Sequence, residues 1–195
     1  MLQKIPRAVG HALEKIRAGS ADLAVAHTEL TGTHATIELS SPSFAYNERM
    51  PSAYTADGRG ISPPLQWDGV PVEAQSLVLL IEDADSPTPK PLVHAIAWNL
   101  PATDGSLPEG ALGGAAEEGE SETSVEQMGR NSFLMDHYLP PDPPPGHGPH
   151  RYVFQIFALD MPLTFDKEPG RKALLDAMRG HVLAKGLHIG IYERV

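Results

Sequence analysis

The chain has 195 residues, of which 41% are hydrophobic, and 25 acidic against 15 basic residues give it a formal net charge of -10. This length predicts one domain with an appendage, and the hydrophobic content is enough for a packed core. The charge argues against a nucleic-acid-binding protein, which needs a basic footprint, and against adsorption to an anionic membrane. No cysteine is present, so a disulfide framework and a thiolate metal site are excluded.

The first residues of the sequence do not resemble a secretion signal. The stretch MLQKIPRAVGHALEKIRAG lacks the continuous apolar region of a secretion signal. No apolar run along the chain approaches the roughly 20 residues of a membrane-spanning helix. We therefore expect a soluble, cytoplasmic protein without stable membrane insertion.

Residues 1–35 differ in pattern from the rest of the chain. Gly19 and Ser20 interrupt this region, and Ser20 is suited to cap a second short helix. Such a helical arm can pack on its own domain, or it can pair with a second copy, because a narrow seam suits a partner helix. The residues that recur at alternating steps of four and three are Val9, Leu13, Ile16, Ser20, Leu23, His27 and Leu30.

From residue 36 the pattern changes to short β segments separated by turn residues. The apolar run from Leu77 to Ile81 predicts a central strand covered on both faces. A helix is predicted over residues 171–185, with Leu174, Met178 and Val182 as its buried stripe. We expect a helical arm (residues 1–35) followed by a mainly β sandwich (residues 36–195) with a few peripheral helices. The predicted strands are 36–39, 76–82, 93–100, 151–159 and 188–195, and the acidic residues 117–127 are predicted to form an exposed loop.

Polar residues follow or begin several of these strands. Asp83 and Asp85 close a buried strand, and two carboxylates separated by one residue project the same way if the strand continues. His94 lies near the start of the next strand, and His150 begins another. Because strand ends gather at the rim of a β-sandwich, these four side chains are candidates for one pocket.

Each candidate also has an ordinary structural explanation. An Asp before Ser-Pro commonly caps a turn, and His94 could be a hydrogen-bonded core histidine. Arg151 is better explained as the ion-pair partner of an Asp than as a ligand contact. Tyr152 could be a core residue whose hydroxyl finds a partner. Searches for a nucleophile elbow, phosphate-binding glycine loops and a helical zinc motif are negative. The residues alone therefore predict a β-sandwich with an Asp/His rim pocket.

The proline-rich stretch PPDPPPGHGP runs directly into His150. A proline-reading partner could bind a P-x-x-P segment. We favour a wall of the pocket, which the restricted φ of proline would fix, with a cis bond as one way of shaping it.

Several motifs, in this order, resemble the phosphatidylethanolamine-binding protein family, also called the Raf kinase inhibitor protein family. The strongest are DADSP (83–87), VHAIAWNLP (93–101) and GPHRYVFQIFALD (148–160), supported by SPPLQW, GRNSF and the C-terminal AMRGHVLAKGLHIGIYER. The similarity is greatest to the bacterial branch and covers about four fifths of the chain, from residue 36 onward.

The resemblance implies two antiparallel sheets with Greek-key links and a small rim cavity that binds phosphate, phosphorylethanolamine or similar anions. Three departures concern the pocket: Ala84 replaces a proline of the acidic box, Leu92 replaces an aromatic residue, and Pro140 lacks the amide of a loop glycine. Asp142 keeps its amide at a second loop position. The residues that match the family's pocket are Asp83, Asp85, His94, His150, Tyr152 and Tyr138.

The resemblance implies a non-catalytic binding module, without a cofactor, that regulates or inhibits a kinase or protease partner. A homodimer is also implied, since members of this branch are often homodimers. Two alternatives are a phosphoester hydrolase with a divalent metal in the Asp/His pocket, and a pure protein-interaction scaffold. Two carboxylates near the anion would repel a dianion, so we expect monoanionic or zwitterionic phosphates to bind in preference.

Overall fold

Two sheets and two α-helices make up the fold in this computed structural model, which describes residues 4–27, 30, 35–114 and 125–194. The helices are α1 (Arg7–Leu13) and α2 (Arg171–Met178). The strands are β1 (Ala35–Thr36), β2 (Glu38–Ser40), β3 (Glu48–Arg49), β4 (Leu65–Asp68), β5 (Ser76–Asp83), β6 (Leu92–Leu100), β7 (Gly105–Leu107), β8 (Met128–Gly129), β9 (His150–Leu159) and β10 (Val182–Tyr192).

The larger sheet has seven strands in the order β1-β10-β9-β5-β6-β8, with β3 also paired to β10. The smaller sheet has three strands in the order β2-β4-β7. The predicted mainly β, two-sheet class is confirmed. The long central pairs are antiparallel, whereas the short strands β1 and β3 run parallel to β10. The predicted strand 36–39 is divided, because β1 belongs to the larger sheet and β2 to the smaller one.

Strand β5 is buried along its whole length, as its apolar sequence predicts. Leu77 and Leu79 pack into the core between the two sheets, whereas Val78 and Leu80 pack on the opposite face with Leu174 of α2. Alternate residues of a strand point to opposite faces, so this strand contributes to two cores. Burying each of these leucines stabilises the fold by about 1.5–3 kcal/mol.

The predicted helix over residues 171–185 is wrong in its second half. Helix α2 ends at Met178, and the chain then turns at Gly180, whose φ is 77°. From Val182 onward, buried and half-buried residues alternate through β10. Val182 fits both the helical stripe and the two-residue alternation, and this overlap explains why the sequence pattern extended the helix too far.

The N-terminal arm is less helical than predicted. Helix α1 has seven residues, and it is followed by two single-turn 3₁₀ helices at Ser20–Asp22 and Ala24–Ala26. Ser20 is the first residue of one of them and does not cap an α-helix, since the N-cap position is Gly19. The predicted stripe therefore does not lie on one continuous helix. Val9 and Ile16 are 44% and 50% exposed, whereas Leu23 and Leu30 are buried.

Across the described residues, no helix is both long enough and apolar enough to cross a bilayer. The acidic stretch 117–127, predicted as an exposed loop, lies mostly outside the described residues.

Candidate functional site

Three neighbouring strands bring the candidate pocket residues to one end of the larger sheet. Asp83 is the last residue of β5 and pairs with Tyr152 of β9. His150 is the first residue of β9. The β5–β6 pairing passes from Ala95 directly to Val93 and leaves His94 as the extra residue of a β-bulge. Bulges re-aim side chains beside functional sites, and this one presents His94 to its neighbours on β9.

These side chains form a buried polar cluster. Asp83, His94, His150 and Tyr152 are 4%, 3%, 1% and 1% exposed. The Tyr152 ring meets the His94 ring edge-on at a centroid distance of 5.1 Å, and it stacks on His150 at 6.3 Å. Buried polar groups are costly unless they have hydrogen-bond partners, so each partner in this cluster matters.

A chain of hydrogen bonds runs from Asp83 through two histidines. His150 Nδ1 lies 2.7 Å from Asp83 Oδ2, and His150 Nε2 lies 2.7 Å from His147 Nδ1. His147 Nε2 lies 2.9 Å from the carbonyl oxygen of Leu13 and 3.2 Å from that of Ile16.

The acceptors at the two ends of this chain constrain the two histidines. The carboxylate and the carbonyl oxygens only accept, so His150 Nδ1 and His147 Nε2 both donate. The hydrogen bond between the two rings then needs a further N–H on one of them. Burial and the charges of His150 and Arg17 lower the pKa of His147.

His94 and Tyr152 each keep one polar atom without a partner. His94 Nδ1 donates to the carbonyl oxygen of Leu139 at 2.6 Å, whereas its buried Nε2 has no hydrogen-bond partner among the described residues. The same holds for the Tyr152 hydroxyl. Burial lowers the pKa of His94, although the Asp83 charge acts in the opposite direction, and His94 Nε2 is then a free acceptor. Tyr152 is a core residue, as one explanation predicted, but the satisfied hydroxyl of that explanation is wrong.

Asp85 does not project with Asp83 as the sequence predicted. The strand ends at Asp83, and the Asp85 amide turns back to donate to Asp83 Oδ1 at 2.8 Å. The Asp85 carboxylate instead accepts from Arg151 Nε at 2.7 Å and lies 3.0 Å from Arg17 Nη1. Burial alone would raise the pKa of Asp85, but the bonds from Arg151 and Arg17 lower it to about 2. The ion-pair explanation of Arg151 is thus correct.

Tyr138 and Asp142 contact residues outside the cluster. The buried Tyr138 hydroxyl donates to the carbonyl oxygen of Tyr54 at 3.0 Å. Asp142 forms an ion pair with Arg194, which also pairs with Asp57 at 2.7 Å. Burial raises the pKa of Tyr152, and the charges of Asp83 and Asp142 act in the same direction.

The proline-rich stretch lies against the domain on both sides. The Ala56 amide donates to the carbonyl oxygen of Pro141, and Arg194 donates to that of Pro143, both at 2.9 Å. No cis peptide bond occurs among the described residues, so the cis bond suggested for this loop is absent. These contacts hold the loop against the domain. Its role as a wall of the pocket, and the presentation of the Asp142 amide to a ligand, stay predictions.

Sequence reasoning missed two residues of the site. His147 lies three residues before His150, and this spacing was a usable signal. Arg17 lies in the arm, and no local pattern connects it with Asp85. Among the described residues, no group of three His, Asp or Glu side chains is arranged to hold a metal ion.

The two-sheet fold and the buried Asp/His cluster at its strand ends define a β-sandwich ligand-binding protein. The profile of the phosphatidylethanolamine-binding protein family matches residues 40–193. The chain belongs to this family.

Relatives and solved structures agree with this assignment. A UPF0098 protein of Pyrococcus horikoshii is 39% identical over 155 residues, covering 79% of this chain and 75% of the relative. The structure of a phosphatidylethanolamine-binding protein homologue from Chlamydia trachomatis matches with a TM-score of 0.71 at 34% identity, covering 82% of this chain and 99% of that one. E. coli YbcL, described as a member of the mammalian family, matches with a TM-score of 0.73 at 25% identity, covering 83% and 100%.

Proposed function

We propose that this protein binds small phosphate-type anions in the Asp83/His94/His150/Tyr152 cluster, and that it acts as a non-catalytic module. The observation that carries this proposal is the pair of buried, unpartnered polar atoms, His94 Nε2 and the Tyr152 hydroxyl. Leaving such atoms unpaired costs about 1–3 kcal/mol each, and a polar ligand would recover that free energy. Membership of a binding-protein family supports a ligand at this place.

The free atoms favour a particular protonation state of the ligand. Because its Nδ1–H donates to the Leu139 carbonyl oxygen, neutral His94 offers a lone pair at Nε2. This lone pair needs a hydrogen-bond donor from the ligand. A phosphate monoester monoanion has a P–OH group, and phosphorylethanolamine also has an ammonium group. The Asp83 carboxylate disfavours a dianion in the same space. We therefore expect monoanionic or zwitterionic phosphates to bind more tightly than dianions.

The test is a titration of the protein with inorganic phosphate and with phosphorylethanolamine, with the side-chain resonances of His94 and His150 followed by NMR. Because a phosphate monoester has its second pKa at about 6, binding of phosphorylethanolamine should tighten as the pH falls through that value. His94→Gln should abolish the shift of the His150 resonance. His181→Gln, an exposed histidine paired with Asp160, is the matched control and should leave binding unchanged. Equal shifts for both ligands, or no shift of either histidine, would contradict the proposal.

Regulation of a kinase or protease partner is the second part of the proposal, supported by the family resemblance. A metal-dependent hydrolase remains the competing function, and it requires activity that a chelator removes and added metal restores. We also propose a homodimer, because the apolar side chains of Val9 and Ile16 on the arm are exposed and a partner could cover them. Sedimentation of Ile16→Glu against the unchanged protein tests it, since a dimer that uses this face should dissociate.

A further inference from the structure

The first part of the N-terminal arm, residues 7–18, lies across the outer edge of the candidate site. We call residues 7–18 the cover segment. Its helix α1 touches the proline-rich loop backbone to backbone, since a Cβ on Gly10 would come within 2.0 Å of the Pro145 carbonyl oxygen. At its other end, the Ala18 amide donates to the Ser86 carbonyl oxygen at 3.0 Å. The cover segment therefore bridges the two loops that flank the site.

Arg17 fastens the cover segment to both of these loops. Its Nη1 donates to the Pro149 carbonyl oxygen at 2.8 Å, and its Nη2 donates to that of His147 at 2.9 Å. The same Nη1 lies 3.0 Å from Asp85 Oδ1. The guanidinium thus directs its donors at the protein itself, and its role in this arrangement is that of a latch.

The cover segment also occupies the outer end of the histidine chain. The carbonyl oxygens of Leu13 and Ile16 accept the His147 Nε2 proton. His147 Nδ1 in turn forms the hydrogen bond with His150 Nε2, so both nitrogens of His150 are engaged. A ligand that needs the His150 Nε2–H as a donor must compete with this arrangement.

The cover segment is held by polar contacts and buries little of its own surface, whereas the chain that follows it is anchored by buried residues. Of residues 7–18, Gly10 alone is buried, and a seven-residue helix has little stability of its own. Beyond it, Leu23 and Ala24 are buried, and the Ala24 amide donates to the buried Glu82 carboxylate at 2.9 Å. Between the two parts lies Gly19, with a φ of 86° and no atom within 4 Å of a Cβ placed there.

We propose that the cover segment is a hinged lid that closes the anion site and opens about Gly19 to admit ligand. This inference rests on the proposed function and concerns the regulation of that site. The cover segment lies outside residues 40–193, so it is an addition to the part of the chain that defines the family. Because the anchor keeps the lid close to the site, closure is intramolecular and competes continuously with the ligand.

Two substitutions loosen the lid and leave Asp83, His94, His150 and Tyr152 in place. Gly10→Ala forces α1 away from Pro145, and Arg17→Ala removes the latch. If the open form is about a tenth of the population, either change should tighten the apparent Kd for phosphorylethanolamine by up to about tenfold. Gly170→Ala and Arg59→Ala are the matched controls and should leave the Kd unchanged. A Cβ at Gly170 would meet no atom within 4 Å, and Arg59 forms an exposed ion pair with Glu109.

Hydrogen exchange gives a second measurement, made first without ligand and then with phosphorylethanolamine bound. The amides of Ala18 and Gly19 donate to the carbonyl oxygens of Ser86 and Ala84 when the lid is closed. They should exchange faster in Gly10→Ala and Arg17→Ala than in the unchanged protein, and faster again when phosphorylethanolamine is bound.

The outcomes separate the lid from the proposed function. Tight binding with the same Kd in all variants, and protected Ala18 and Gly19 amides in the complex, would overturn the lid and leave the anion site standing. Weaker binding by Gly10→Ala and Arg17→Ala would also overturn the lid, because the segment would then belong to the binding site. If neither inorganic phosphate nor phosphorylethanolamine binds to any variant, the proposed function fails and the lid fails with it.

Discussion

At the scale of single residues, two tyrosines of similar burial differ in what their hydroxyl groups do. Tyr138 and Tyr152 are each 1% exposed. The Tyr138 hydroxyl donates to the Tyr54 carbonyl oxygen, whereas that of Tyr152 has no partner among the described residues. A satisfied hydroxyl stabilises the folded protein, and a buried unsatisfied one destabilises it. The Tyr152 hydroxyl is therefore explained better by a ligand than by the stability of the unliganded fold.

Replacing each tyrosine by phenylalanine tests this difference. We expect Tyr152→Phe to raise the free energy of unfolding by about 1 kcal/mol, because it removes an unpaired buried group. Tyr138→Phe should lower it by about 1 kcal/mol, because it removes a hydrogen bond and leaves the Tyr54 carbonyl oxygen unpaired. Urea unfolding of both variants without ligand measures the two effects. Destabilisation of the same size in both would contradict the assignment of a free hydroxyl at Tyr152.

At the scale of elements, glycine decides where α2 gives way to β10. Gly180 has a φ of 77°, a region that costs a residue with a Cβ roughly 1–2 kcal/mol. This turn reverses the chain, so that β10 can pair with β9 from Val182 to Tyr192. The length of the helix is thus set by the turn and by the pairing that follows it.

Gly180→Ala should therefore destabilise the protein by about 1–2 kcal/mol. Gly170→Ala, at the other end of the same helix, should change stability by less than about 0.5 kcal/mol, because Gly170 has a φ of -86° and open space around it. Thermal or urea unfolding compares the two. An equal loss at both positions would show that the conformation of Gly180 is not what matters.

The elements also show what could be predicted from the sequence. The apolar run of β5 identified the central strand, and the order of the motifs that resemble the family identified the family, because both are local patterns. The split of residues 36–39 between two sheets could not be read from four residues, since tertiary pairing decides it. The contact of Arg17 with Asp85 joins positions far apart along the chain, and no periodicity records such a contact. The proton arrangement of His147 and His150 likewise depends on carbonyl oxygens that the arm supplies.

At the scale of the whole molecule, three of the buried histidines contribute to stability with the same dependence on pH. Burial lowers the pKa of His94, His147 and His188 from the ordinary value of 6.5. Below that value the unfolded chain binds protons that these residues in the folded chain do not bind. Their contribution to stability is therefore complete above pH 6.5 and is lost as the pH falls towards the lowered pKa values.

We expect the free energy of unfolding to fall between about pH 7.5 and about pH 5.5, at up to about 1.4 kcal/mol per pH unit for each histidine. Urea unfolding at several pH values measures the slope. His188→Phe should reduce it, because the Phe44 and Tyr46 rings beside His188 can pack against an aromatic residue that does not titrate. His181→Gln, at an exposed position, controls for the loss of a histidine as such. Stability that stays level or rises as the pH falls, or a slope that both substitutions change equally, would contradict this account, because desolvation of the buried rings would then not be what couples folding to protons.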